Sequence, residues 1–378
     1  MRMVSAPVVL VTGVSRYLGS RLAARLAADP AISRVIGVDT VVPGRDLGRL
    51  LGRTEFVRAD IRNPLIAKVI TSADVDTVVH VNITATPRGA GGRTSMKEMN
   101  VIGTMQLLAA CQKSASVRRL VVKSTTAVYG SSPRDPALFT EEMEPKALPP
   151  SGYAKDAAEV EGYVRGFGRR RPDVTLTVLR FTNFIGPRID STLSRYFSLP
   201  VVPTVLGYDP RIQLLHEDDA LEVLRLAATE DRPGTVNVGG SGVLLLSQAL
   251  RRAGRVAIPV APPAVRVAGR VARRAGRLDF SPEQQRLLQF GRVVDTTRLR
   301  KDFGYTPRYT TGEALADFVR ARGFGPATYP ALVDRSARAL LGLLDQFGRA
   351  AGVAAQPRVH SARPGGAGPV GMGGDGRG

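Results

Sequence analysis

The sequence has no tryptophan, a single cysteine and three histidines in 378 residues. One thiol, Cys111, rules out an intrachain disulfide and a cysteine-based metal cluster, and it suits a reducing, cytoplasmic setting. His80, His216 and His360 are too scattered for metal-ligand spacing, so no metal is expected. No apolar run approaches the ~20 residues of a membrane span. The N-terminal apolar run is too short for a signal-peptide core and runs into a glycine turn, so it reads as a strand. Aromatic residues make up 6% and nowhere interleave with arginine, which argues against nucleic-acid binding despite 53 basic and 33 acidic residues, a net charge of +20. The excess reads as a solvated basic surface, and an anionic partner such as a nucleotide diphosphate also fits it.

What is present begins with Val8 to Leu26. The β-branched run Val8-Val9-Leu10-Val11 reads as a strand buried on both faces. The turn Thr12-Gly13-Val14-Ser15-Arg16-Tyr17-Leu18-Gly19 follows, then a helix with Leu22 and Leu26 inward. Such a layout aims free backbone N–H groups and the positive end of a helix at a pyrophosphate. Gly13 permits the sharp turn and Gly19 close helix–strand packing. Arg16 and Tyr17 stand where a middle glycine is expected, so the motif alone is weak.

Strand and helix then alternate. Strands are expected at Arg34–Asp39, Thr54–Ile61, Val75–Val81, Arg119–Lys123 and Val174–Leu179, with helices at Asn63–Ile70, Met96–Ser114 and Ser151–Arg169. The alternation predicts an α/β fold with a doubly wound, Rossmann-like parallel sheet over residues 1–188. Residues 189–330 read as a smaller α/β substrate lobe, with some segments returning to the core. A helix is expected within 331–350 and disorder over 351–378, where large apolar residues are almost absent. Residues 263–278 read as a basic amphipathic helix carrying Arg266, Arg270, Arg273, Arg274 and Arg277. A solvated basic face is the favoured reading, with contact to substrate phosphates or to an anionic membrane as alternatives.

Asp39 ends the second strand, 20 residues beyond Gly19. A carboxylate there accepts the ribose hydroxyls of NAD and repels the 2′-phosphate of NADP. Arg16 pulls the other way, since a guanidinium suits that phosphate. Taken with Asp39, further segments carry a resemblance: Ala59-Asp60-Ile61, Asn100-Val101-Ile102-Gly103-Thr104, Ser124-Thr125-Thr126-Ala127-Val128-Tyr129-Gly130, Lys155, Arg180-Phe181-Thr182-Asn183-Phe184-Ile185-Gly186-Pro187, His216-Glu217-Asp218-Asp219, Asp295-Thr296-Thr297-Arg298-Leu299 and Phe303-Gly304-Tyr305-Thr306-Pro307. In their order and spacing the chain resembles the extended short-chain dehydrogenase/reductases, in the NAD-dependent epimerase/dehydratase family that includes UDP-glucose 4-epimerase. The resemblance runs from about Val8 to Phe318.

It implies that Gly13, Ser15, Arg16, Tyr17, Leu18, Gly19, Asp39, Asp60, Ile61, Val81, Asn82, Asn100 and Lys155 surround the cofactor. Thr125 is implied to bond the reacting hydroxyl, and Thr182, Asn183 and Arg211 to hold a nucleotide-sugar substrate. A homodimer is implied through the helices around 96–114 and 151–169.

The family's base is the tyrosine of Tyr-x-x-x-Lys, four residues before a lysine on one helix face. Here Ser151 lies four residues before Lys155, and a serine hydroxyl is too weakly acidic to replace a phenol. Tyr153 lies two before Lys155, about 200° around a regular helix, so it is expected to point away from the site unless the first turn is distorted. The resemblance implies an NAD-dependent epimerase or dehydratase of a nucleotide sugar. Its alternative is an NAD(P)-binding sensor or scaffold that has lost the chemistry.

Overall fold

The computed structural model describes residues 6–85, 92–144, 152–261 and 281–325. Ser151, the basic segment 263–278, the helix expected within 331–350 and the tail from 351 lie outside the described residues.

Strand β1 (Val8–Thr12), helix α1 (Tyr17–Ala28), β2 (Arg34–Asp39), α2 (Arg45–Leu50), β3 (Glu55–Arg58), α3 (Leu65–Ser72) and β4 (Thr77–His80) form the first winding. Next come α4 (Gly92–Lys97) and α5 (Gly103–Lys113), joined by a π-helical turn at Glu98–Ile102, then β5 (Arg119–Thr125), α6 (Tyr153–Arg170) and β6 (Thr175–Phe181). These strands and the later strand Gly234–Val238 make a seven-stranded, wholly parallel sheet. Its spatial order by chain position is Gly234–Val238, β6, β5, β4, β1, β2, β3. The order reverses at β1 and β4, and in doubly wound sheets ligands bind beyond the carboxyl ends of the strands at such a switch.

Both faces of the sheet are covered, which explains the continuous apolar strands. Val9 and Val11 pack under Leu22 and Leu26 of α1 on one face, together with Leu221 and Leu224. Leu10, Leu120 and Val122 pack under Ile66, Leu107, Val160 and Val164 on the other.

Beyond β6 come β7 (Asn183–Ile185), α7 (Thr192–Ser198), β8 (Val201–Val205), β9 (Arg211–Ile212), β10 (Leu214–His216), α8 (Glu217–Thr229) and β11, the returning strand Gly234–Val238. The chain continues through β12 (Leu244–Leu245), α9 (Leu246–Arg252), β13 (Val256–Val260), α10 (Pro282–Phe290), α11 (Thr297–Lys301) and α12 (Thr311–Ala321). The small two-stranded pairs β7–β10, β8–β13 and β9–β12 enclose a separate apolar cluster with Phe197, Leu214, Leu250 and Phe318. None of the helices among the described residues is long and apolar enough to cross a membrane.

Candidate functional site

One pocket lies beyond the carboxyl ends of the central strands. It is lined by Gly13, Arg16, Tyr17, Leu18 and Gly19 of the first turn, Val81 to Ala85 excepting Asn82, Lys123 to Thr125 at the end of β5, Tyr153 at the start of α6, and residues of the segments 181–184 and 189–195.

The first turn is built for close approach. Gly13 has φ +79°, open to glycine and strained for other residues. A Cβ on Gly19 would lie 2.2 Å from the Gly13 carbonyl oxygen. Arg16 takes the place of a middle glycine with ordinary extended backbone (φ −118°), so its cost is a side chain in the pocket rather than strain. The Asp39 carboxylate accepts the Ser15 and Thr40 amides at 3.0 and 2.8 Å, tying the turn to the end of β2. A carboxylate offers about four acceptor positions, so capacity is left for ribose hydroxyls. Turn, helix end and carboxylate therefore fit a dinucleotide.

The floor is fixed by neighbours outside the first turn. Asn100 accepts the Thr84 amide and donates to the Thr84 carbonyl, both at 3.0 Å, so its side chain pins the segment after β4. Asn82 packs against Gly13 at the same depth. The Tyr17 hydroxyl donates to Glu217 at 2.8 Å, and Glu217 also accepts the Arg188 and Ile189 amides at 3.1 and 2.6 Å. One carboxylate thus joins the first turn to the segment on the far side of the pocket.

Thr125 and Tyr153 meet. Their side chains are hydrogen-bonded. Burial, and next the Glu283 charge, push the Tyr153 phenol above its ordinary range, while Thr125 and Arg292 pull it down. Glu283, on α10, accepts the Ala154 amide at 2.6 Å and so caps the start of α6. Gly152, with φ +89°, makes room: a Cβ there would lie 2.6 Å from that carboxylate.

The expectation that Tyr153 points away is corrected. The predicted separation of Tyr153 and Lys155 around the helix is sound, but the inward residue is the tyrosine. Lys155 is exposed and does not line the pocket. Two buried carboxylates set this phase. Asp156 is fully buried and accepts Arg93 at 2.5 and 2.6 Å. Glu161 is held by Arg180 of β6 at 2.6 Å and by the Ser124 hydroxyl at 2.5 Å. Arg180 in turn donates to the Tyr129 hydroxyl at 2.8 Å. Tyr153, Ala157 and Glu161 are spaced four apart and share a face. Four residues beyond the pocket tyrosine stands buried Ala157, not lysine.

Other expected residues fall away from this pocket. Asp60 is ion-paired with Arg62 at 2.6 Å, and Ile61 is buried core. Arg211 donates to the Ala137 carbonyl at 3.1 Å and lines a second pocket with Tyr208, Phe290 and Arg292. Thr182 and Asn183 line the first. Sequence reading gave no site role to Lys123, Glu217, Glu283 and Arg292. Lys123 carried a signal as a charge inside an apolar strand, and Glu217 lay in one of the segments that carry the resemblance.

The family model for the NAD dependent epimerase/dehydratase family matches residues 9–239. An uncharacterized protein of Mycobacterium tuberculosis is 51% identical over 341 residues, covering 90% of this chain and 91% of the relative. A trifunctional UDP-glucose 4,6-dehydratase/UDP-4-keto-6-deoxy-D-glucose 3,5-epimerase/UDP-4-keto-L-rhamnose-reductase of Arabidopsis thaliana is 27% identical over 186 residues, 47% of this chain and 28% of that protein. Among solved structures, dTDP-glucose 4,6-dehydratase from Bacillus anthracis in complex with NAD superposes with a TM-score of 0.64 at 20% identity, covering 86% of this chain and all of that one. UDP-glucuronic acid 4-epimerase from Bacillus cereus in complex with NAD gives 0.62 at 19% identity, covering 85% and 99%. At such identities these two establish a common fold.

Proposed function

The chain belongs to the NAD-dependent epimerase/dehydratase family, and we propose that it is an NAD-dependent enzyme that oxidises and then reduces a nucleotide sugar at a sugar carbon, giving epimerisation or dehydration. The observation that carries this reading is the hydrogen-bonded pair Tyr153 and Thr125 in one pocket with the Gly13–Gly19 turn. When bound, NAD supplies the hydride acceptor. Gly13 and Gly19 admit its diphosphate, and Asp39 accepts its adenosine ribose. Tyr153 is the group placed to take the proton of the sugar hydroxyl, and Thr125 holds that hydroxyl and the phenol in line. Thr182 and Asn183 hold the sugar or its diphosphate. The basic lining, Arg16, Lys123 and Arg195, suits two diphosphates. The protein acts in the cytoplasm as a homodimer, and the exposed Ile102 and Met105 beside α5 support that contact.

One observation favours a second reading. Ala157 removes the lysine expected one turn after the base, so a sensor that binds the dinucleotide without chemistry stands as the alternative. A panel of nucleotide sugars added to the NAD-bound protein separates the two. Reduced nicotinamide or an isomerised or dehydrated sugar supports the enzyme. Tight NAD binding with no reaction across the panel sinks it.

A further inference from the structure

Lys123 sits in β5 with a side chain only 8% exposed. Val121, Lys123 and Thr125 alternate with Val122 and Ser124, so Lys123 shares a face with Thr125, roughly 7 Å along the strand. Its Nζ donates to the Ile83 carbonyl at 2.7 Å, and the residue lines the pocket with Gly13, Thr125 and Tyr153. Among the described residues Lys123 has no carboxylate partner. A buried ammonium without a counter-charge is costly and is rarely kept by packing alone. An anionic ligand in that pocket would supply the missing charge.

The helix that carries Tyr153 offers no such cation, since Ala157 takes the inward place and Lys155 faces solvent. Arg292 bears on Tyr153, but its guanidinium donates to the Gly130 carbonyl at 2.8 Å and lines the second pocket. We propose that Lys123 is the cation that binds the nicotinamide half of the dinucleotide, through its ribose hydroxyl and diphosphate oxygens, so that strand β5 supplies the charge that α6 lacks. This rests on the dinucleotide reading above. It makes Lys123 a binding residue set one strand step from Thr125.

Arg16 from the first turn and His80 from β4 interact with the Lys123 charge, and Tyr17 from α1, Tyr153 from α6 and the ion pair Asp190–Arg195 from the α7 segment line the same pocket. Burial, then the Arg16 charge, lower the Lys123 ammonium to about 8. Burial, and next the Lys123 charge, hold His80 down at about 3, and burial first of all holds Tyr153 and Tyr17 above their ordinary range. Among Lys123, His80, Tyr153 and Tyr17, only Lys123 is brought to change charge near neutral to mildly alkaline pH.

Calorimetric titration of NAD into the purified full chain, repeated across that pH range, tests this. The wild type should bind NAD more weakly as pH rises through about 8. Lys123→Met should bind about tenfold more weakly or worse at neutral pH and lose that pH dependence. Lys123→Arg, which stays charged, should keep neutral-pH affinity and lose the decline. If Lys123→Met does not fold, the arginine variant and the wild-type profile decide. A flat wild-type profile, a decline that persists in Lys123→Arg, or wild-type affinity in folded Lys123→Met overturns the proposal. So does loss of affinity in Lys155→Met with Lys123→Met unaffected. A wild type that binds no NAD at any pH instead overturns the dinucleotide reading on which the proposal rests.

Discussion

The Tyr153 phenol is hydrogen-bonded to the Thr125 side chain, joining the first residue of α6 to the last residue of β5. Tyr153→Phe keeps the ring and its packing but removes the hydroxyl proposed to take the proton. Turnover of a nucleotide sugar should fall by about 10²- to 10⁴-fold, with NAD affinity close to wild type. Paired measurement of turnover and NAD binding checks this. A variant that retains wild-type turnover would remove Tyr153 as base.

Asp39 holds the Ser15 amide at 3.0 Å, and the proposed function has it accept the adenosine ribose. Asp39→Ala removes a charged acceptor from both. NAD affinity should fall by about 10- to 100-fold, and preference for NAD over NADP should narrow because the repulsion of a 2′-phosphate is gone. Equal NAD affinity in variant and wild type would contradict this reading of the turn.

Glu161 and Arg180 form a buried pair beneath the site, at 2.6 Å and with side chains 3% and 10% exposed. Glu161→Gln leaves the guanidinium buried without a counter-charge and loosens the helix that presents Tyr153. Unfolding by denaturant should show a loss of about 3–5 kcal/mol. A loss below ~1 kcal/mol would mean that water reaches Arg180.

His80 is buried between the Thr12 and Thr104 hydroxyls, each at 2.9 Å. Burial, and next the Lys123 charge, lower its folded-state value to about 3 from an ordinary 6.5. Between those values the unfolded chain binds a proton that the folded chain refuses. The stability this neutral ring contributes is therefore present above 6.5 and is lost as pH falls toward 3. The wild type should lose about 1.4 kcal/mol per pH unit from this group alone. Replacing His80 with Gln should flatten the slope of denaturant midpoint against pH over that interval. An unchanged slope would assign it to other groups.

Much of the fold was legible because its signals are local. The apolar strands β1 and β2, the glycine turn between β1 and α1, and the acid ending β2 all read directly from the chain, and Arg34–Asp39 matches the sequence reading residue for residue. The phase of α6 was not legible. It depends on Asp156 meeting Arg93 and Glu161 meeting Arg180, residues 63 and 19 positions away in sequence. Without those partners, a Lys155 four residues after Ser151 matched the family spacing, and the inward face was assigned to the wrong side chain. The π-helical turn at Glu98–Ile102 was likewise hidden, since helix periodicity does not mark one extra residue. Lys123 was visible as a charge among Leu120, Val121 and Val122, but only the neighbouring pocket gives that charge a use.

The central claim is that Tyr153 and Thr125 run reversible oxidation of a nucleotide sugar beside bound NAD. The most direct measurement is the absorbance of reduced nicotinamide in the purified, NAD-loaded protein as nucleotide sugars are added one at a time. The account predicts that at least one sugar produces the reduced band or a changed sugar product, and that Tyr153→Phe abolishes the response while still binding NAD. Saturating NAD binding with no band and no product for any nucleotide sugar would contradict it.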